Sequence, residues 1–390
     1  NILHETFNYG IGAQYMINKG NYITADCYAD HFSSSYCFFK DNKTYNGKAG
    51  EEQVRKRTRN HNLSIKGIFK LGNRHKLSVG TEYIVDVLKS QTDNIAKEDA
   101  YTLALFAQDE IKLLRNLQAL IGVRYIYHEN FKNHATPNVA LMYKPGKFNF
   151  RASYAAGFRT PTLSELYATD IAKKNDRLTI GNLDLKPEKN NYFSLSAEYV
   201  HERFSVSVNA FYNNIRDMID YNTIATGDKD MEQYGHKEVR QRDNIAEAKV
   251  HGINVSANAY LGAGFNLSGG YTHLNTQDVE LEQPIDKSIK NAYNINAQWA
   301  HSWKIYRLNI NLNGRFNSKR FSKSYGYAPE YQLWDLNTRH SFNLKSVIIE
   351  PGCGMENLFD YMDDRPYNSN YATLTPGRSF YISLSLKFKS

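Results

Sequence analysis

Long apolar runs are what this 390-residue chain lacks. No stretch approaches the ~20 apolar residues of an α-helical membrane span, so a helical membrane protein is excluded, and the mean hydropathy of −0.60 agrees. Cysteine is scarce, and three is an odd number that leaves no complete disulfide framework. In an extended stretch Cys27 and Cys37 would stand ~33 Å apart, beyond disulfide reach. Chemistry-bearing patterns are missing too. Gly10-Ile11-Gly12 has neither the further glycine nor the following helix of a dinucleotide site. No Cys or His pair has zinc spacing, so no metal or cofactor site is expected. No nucleophile with a base and orienting acid stands out, so no enzyme is expected. The chain opens on Asn1 with no charged and apolar leader, which reads as a natural start that is missing or removed.

Aromatics are abundant, at 29 Tyr and 20 Phe, in a chain whose net charge is +8. That abundance argues against disorder. Beside a polar average it fits a large soluble β-protein or a transmembrane β-barrel.

Alternation with period two separates these options only in part. Phe204, Val206, Val208, Ala210 and Tyr212 alternate with Ser205, Ser207, Asn209 and Phe211. Leu308, Ile310 and Leu312 alternate with asparagines, and Phe380, Ile382, Leu384, Leu386 and Phe388 with Tyr381, Ser383, Ser385 and Lys387. A soluble sandwich gives the same pattern, so the connections decide. Short turns fall at 19–21, 72–74, 115–116, 145–147, 201–203, 262–264, 301–305 and 344–346. Between them lie longer polar connections near 38–57, 89–99, 129–134, 159–190, 221–237, 276–288, 322–330 and 357–378. Strict alternation of short and long connections predicts about 17 long antiparallel strands, with tight turns at one end and long loops at the other. Outer-membrane barrels have this asymmetry, and only closed barrels satisfy every strand's backbone groups in lipid. Bacterial barrels have even strand numbers, so an odd number of strands is expected upstream.

Several segments then resemble one known family, the TonB-dependent outer-membrane receptors. Tyr154-Ala155-Ala156-Gly157-Phe158-Arg159-Thr160-Pro161 and Gly181-Asn182-Leu183-Asp184-Leu185-Lys186-Pro187-Glu188 look like its two loop boxes. Thr160 and Leu183 stand where the family carries Ala and Pro. Gln108-Asp109-Glu110 and Gly122-Val123-Arg124-Tyr125 before them, and Ala248-Lys249-Val250-His251-Gly252, Glu356-Asn357-Leu358-Phe359-Asp360 and Pro376-Gly377-Arg378 after them, are further matches in family order. The resemblance implies an all-β, antiparallel transmembrane barrel of the roughly 22-strand receptor type. Residues 1–390 would be its C-terminal portion, with 159–190 a long extracellular loop and the N-terminal plug and about five strands missing. It implies an outer-membrane receptor of a Gram-negative bacterium, with its own plug and the TonB–ExbB–ExbD complex as partners and a surface lipoprotein as a further candidate. Its cargo would be a scarce, large nutrient. Residues 162–180 contain no His, which lowers haem as ligand. The closing stretch, with Asp363-Asp364-Arg365-Pro366, favours a corrinoid such as vitamin B12, with haem or a ferric siderophore as the alternative. A passive or structural barrel without TonB coupling is the reading of another class.

Capture of such a cargo needs flat apolar area and a few directed polar groups. The candidates are Arg159, Tyr167, Tyr234, Tyr325, Tyr327, Tyr331, Trp334, Arg365, Tyr367 and Tyr371. Membrane-interface belt or loop packing is the bland role for each aromatic, and structural support of the loop base is the bland role of Arg159. The basic run Arg55, Lys56, Arg57 and Arg59 suits lipopolysaccharide phosphate on a barrel rim. Nucleic acid, which pI 9.0 alone would invite, has no stacking platform or groove motif here.

Overall fold

The computed structural model describes all residues except 44–45, 173–175, 227–234, 237, 323–325, 364–375 and 389–390. One sheet takes in nineteen strands. Seventeen of these are ten residues or longer, from Ile2–Asn18 to Ser379–Phe388, the expected number. Successive long strands pair antiparallel in continuous register, as from Ile2–Asn18 through Leu117–His128. The same holds from Glu238–Gly262 to Ser379–Phe388.

Side-chain exposure is inverted relative to a soluble fold. On Lys132–Tyr143 exposure alternates residue by residue, with Val139 and Leu141 exposed and Thr136 and Asn138 less so. Phe204, Val206 and Val208 are exposed while Ser205, Ser207 and Asn209 are half-buried. A face of exposed Val, Leu and Phe opposite one of Ser and Asn is stable only if lipid covers the apolar side. On the polar side neighbours satisfy one another, as Asn296 Nδ2 donates to Asn311 Oδ1 at 2.8 Å. Aromatic rings mark both edges of the apolar band. Tyr293 stacks with Tyr271 at 4.7 Å near one end of its strand, and Trp303 with Tyr306 at 5.5 Å at the other. Tyr293 and Trp303 lie ~33 Å apart along the strand, or about 25 Å across a bilayer at a ~40° tilt.

The tight turns fall at the expected end. Gly264 shows why glycine is needed there. Its φ is +87°, and a Cβ would lie 2.0 Å from the Ala300 carbonyl oxygen. The opposite end departs from strict alternation. Strands run through His75–Ser90 and Ile95–Leu114, leaving only 91–94 between them, and only 129–131 separates Leu117–His128 from Lys132–Tyr143. The expected long connections at 89–99 and 129–134 are thus short turns. Local polar groups close them. Asp93 N–H donates to Ser90 Oγ at 3.1 Å and Asn94 takes a φ of +53°, while Lys132, at φ +59°, donates from Nζ to the Glu129 carbonyl at 2.9 Å. Polar composition resembled a long loop, but these groups bond within the turn.

The chain divides into two compact units. One comprises Asn1–Leu141, Ser153–Tyr192 and Ile215–Glu247, and the other Met142–Ala152, Phe193–Asn214 and Ala248–Ser390. In the first, a buried apolar cluster of Leu88, Ile95, Ala100, Leu163 and Ala168 lies under the 160–187 connection. A second of Leu166, Leu185 and Ile219 lies beside it. In the second unit, Cys353 is exposed. It and the two cysteines of the first unit, Cys27 and Cys37, are free thiols.

Candidate functional site

The 160–187 connection is a folded structure. Thr160 precedes proline, which favours extended backbone, and Thr162 then caps the short helix Leu163–Tyr167. Glu165 N–H donates to Thr162 Oγ1 at 3.2 Å, and Thr162 N–H donates to Glu165 Oε2 at 2.8 Å. This reciprocal box is written in Thr162-Leu163-Ser164-Glu165. It orients the helix so that Leu163 enters one cluster and Leu166 the other. A hairpin of Thr169–Ala172 and Arg177–Ile180 follows. Its second strand pairs in parallel with 238–241, Thr179 opposite Arg240.

The two boxes meet at Arg159. Its Nε and Nη2 donate to the Glu188 carboxylate at 2.9 and 2.6 Å, and its Nη1 and Nη2 to Glu165 at 2.9 and 3.3 Å. The Glu188 bonds lead in holding Arg159 cationic, ahead of the opposing effect of burial and the support of Glu165. Burial raises the Glu165 carboxyl. Hydrogen bonds from Arg159 and Thr162 and the Arg159 charge together outweigh it, and the group sits below the usual carboxylate range. Glu188 also accepts the Ile219 N–H at 2.8 Å. Asn244 closes the far end, accepting Lys186 N–H at 2.7 Å and donating to the carbonyls of Lys186 and Asp217 at 2.9 and 2.7 Å. Gly181 fits where nothing larger would, since a Cβ would lie 2.5 Å from the Leu166 carbonyl oxygen. The connection is further pinned at Asp93, which accepts from Ser164 Oγ and pairs with Lys56 Nζ, both at 3.3 Å. Nearby, burial first and the Asp93 charge second raise the Asp170 carboxyl above its usual range, against the pull of Arg177 and Lys56.

Arg159 is therefore engaged by two carboxylates, and Tyr167 packs against both apolar clusters. In the other unit, Tyr331 stacks on Tyr361 at 5.8 Å and accepts Asn317 Nδ2 at 2.7 Å. Tyr327 is exposed in the small hairpin Arg320–Ser322/Gly326–Ala328, 5.3 Å from Phe321. Trp334 pairs with Gly314, itself opposite Ile295, and so shares the exposed apolar strand face. Tyr234, Tyr325, Arg365, Tyr367 and Tyr371 lie outside the described residues. Of the basic run, Arg55 donates to Gln91 Oε1 at 3.3 Å and lies 5.2 Å from the Tyr36 ring. Lys56 is held by Asp93, and Arg57 and Arg59 are exposed. Asn244 and Ile219 carried no sequence signal, because their partners are distant in the chain. Glu165 could have been found from its capping-box spacing.

Solved structures share this architecture. The chain is similar to a mutant form of the ferric enterobactin receptor PfeA from Pseudomonas aeruginosa, with 18% identity and a TM-score of 0.79, covering 100% of this chain and 62% of that one. It is also similar to the siderophore receptor PirA from Acinetobacter baumannii, at 15% identity and TM-score 0.78, covering 99% and 62%. A third similar structure is the FrpB iron transporter from Neisseria meningitidis (F3-3 variant), at 13% and 0.73, covering 98% and 62%. The chain thus spans about 62% of the length of these receptors. The family model for the TonB-dependent receptor-like β-barrel matches residues 3–358. The chain belongs to the TonB-dependent receptor family of outer-membrane β-barrels.

Proposed function

We propose that this chain is the barrel part of a receptor that takes up a ferric siderophore across the outer membrane of a Gram-negative bacterium. The observation that carries this reading is the family match over 3–358. The names of the similar solved receptors, which speak of ferric enterobactin, siderophores and iron, supply the ligand class. The corrinoid favoured from the closing stretch has no such support, and neither has haem. A ferric chelate is too bulky and too dilute for passive diffusion, so it must first be captured by loops at the mouth. In this reading the tied 160–187 connection is a rigid base that sets the height and spacing of the contact loops. Tyr327 and Tyr331 are capture residues, along with Tyr234, Tyr325, Arg365, Tyr367 and Tyr371. Arg159 and Tyr167 act on the cargo through the loop they hold. Release requires a plug inside the barrel and energy delivered to it by the TonB–ExbB–ExbD complex.

The test is growth of a deletion strain on single sources of iron or cobalamin. Loss of growth on one ferric siderophore, restored by the intact gene, is the expected result. Loss confined to haem or to vitamin B12 would replace the ligand class, and unimpaired growth on all three would remove the uptake role.

A further inference from the structure

Glu356-Asn357-Leu358-Phe359-Asp360 and Pro376-Gly377-Arg378 stand at the two roots of one connection, after the strand Val347–Glu356 and before Ser379–Phe388. Asn357 joins them. It is 4% exposed and takes a φ of +51°, a left-handed conformation that asparagine tolerates. Its side-chain amide bonds as a neighbouring strand would. Nδ2 donates to the carbonyls of Tyr361 at 2.8 Å and Pro376 at 3.2 Å, and Oδ1 accepts Tyr361 N–H at 2.8 Å. Its backbone N–H donates to Asp335 Oδ1 at 2.9 Å. Asp360 adds a second tie, accepting Arg378 N–H at 2.7 Å, and a Cβ on Gly377 would lie 3.0 Å from the same oxygen. A buried amide whose donors and acceptor are all paired fixes the backbone it bonds.

That backbone sends one ring to each side of the sheet. Phe359 meets Trp334 edge-on at 6.4 Å, and Tyr361 stacks on Tyr331 at 5.8 Å with 25° between the planes. Trp334 and Tyr331 point to opposite faces, because an odd number of residues separates them along one strand. Tyr331 shares its face with Asp335 and Asn337, and with Asn317, Asn313 and Asn311 opposite them. This is the polar face, so a membrane belt does not account for Tyr331 and Tyr361. Asn317 Nδ2 bonds the Tyr331 hydroxyl at 2.7 Å and holds that ring, while Asn357 holds the backbone under the other. Two half-buried rings fixed in this way present flat apolar area at little conformational cost.

We propose that Asn357 is a positioning residue for cargo capture. It sets Tyr361 against Tyr331, and the two rings form a shelf for a flat, unsaturated part of the cargo. This role rests on the uptake reading above, and adds Tyr361 as a contact and Asn357 as the group that acts through it. Asn357 itself touches no cargo.

The test uses full-length receptor in detergent. Ferric enterobactin, haemin and cyanocobalamin are each offered to the wild type, and the probe it binds is carried through the variants. Tyr361→Ala removes the ring and keeps the Asn357 bonds, which are made to its backbone. Asn357→Gly removes the amide and keeps the turn, since glycine adopts positive φ freely. Each should weaken binding by about tenfold. The double variant should lose no more than about twofold beyond Tyr361→Ala, because Asn357 acts only through that ring. Without any probe, the amide at position 361 should lose hydrogen-exchange protection by about tenfold in Asn357→Gly and keep it in Tyr361→Ala. Wild-type affinity in Tyr361→Ala, multiplied losses in the double variant, or an unchanged amide at 361 in Asn357→Gly would overturn the shelf. Binding of haemin or cyanocobalamin in place of the ferric chelate would instead overturn the ligand class, and the same variants would still decide the shelf.

Discussion

Removing the Arg159 guanidinium separates its two candidate roles. Arg159→Ala leaves Glu165 and Glu188, whose side chains are 13% and 17% exposed, facing each other without a cation. Breaking a fully buried pair costs about 3–5 kcal/mol. Arg159 is itself 43% exposed, so water screens part of that, and about 2–3 kcal/mol remains. The cost falls on the loop, because the capping carboxylate and the acceptor of Ile219 N–H both lose their counter-charge. Hydrogen exchange of the full-length receptor reads it locally. The amides of Leu166, Ala168, Gly181 and Asn182, bonded to Thr162, Ser164, Ala168 and Glu165 carbonyls, should lose protection by about 30- to 150-fold. Amides of the Phe265–Asp278 strand should not change. Arg159→Lys, which keeps the charge and loses the fork, should fall between. Unchanged exchange at those four amides would refute the clamp. If affinity for the proposed cargo also fell, Arg159 would be a ligand contact.

The remaining expectations follow from the same geometry. Gly181→Ala pushes a methyl against the Leu166 and Ala168 backbone, costing about 1–3 kcal/mol. Proteolysis within 160–187 should speed up while the strands stay resistant, and an unchanged digestion pattern would refute the close approach. The raised Asp170 group favours the folded loop below its unfolded value, and that contribution is lost as pH rises through the folded value. The lowered Glu165 group contributes above its unfolded value, and this is lost as pH falls through the folded value. Hairpin amides at 169–172 and 177–180 should therefore gain protection as pH falls toward the ordinary carboxylate range, and Asp170→Asn should abolish that gain. Parallel profiles for variant and wild type would exclude Asp170 as the source. On the strand Glu188–Val200, Leu195 is exposed and Ser196 half-buried. Leu195→Lys should cost about 2–4 kcal/mol in denaturant unfolding from lipid vesicles and Ser196→Lys far less, and equal costs would reverse the assignment of faces.

Legibility followed the range of the interactions. The strands were readable because lipid enforces a period-two pattern residue by residue, so Phe204-Ser205-Val206-Ser207-Val208 declares its two faces without knowledge of its neighbours. The loop boxes were readable because Thr162 and Glu165 bond each other within one helical turn. The turns at 91–94 and 129–131 were misjudged as long loops, since polarity marks a connection but not its length. What decides the length there is Ser90 reaching Asp93 and Lys132 reaching Glu129.

The roles of Arg159 and Asn244 could not be read in this way, because their partners come from separate strands. Arg159 stands beside Thr160-Pro161 in sequence, where it reads equally well as an exposed ligand contact. Only folding brings Glu188 to it from across the loop, and with Glu188 comes Ile219. The two boxes are then one device, in which an ion network and two small apolar clusters give the 160–187 connection an interior of its own. The strands need no such interior, since lipid covers their apolar face. A connection that leaves the bilayer does need one, and Arg159, which reads as a binding residue in the sequence, is bonded there to both Glu165 and Glu188.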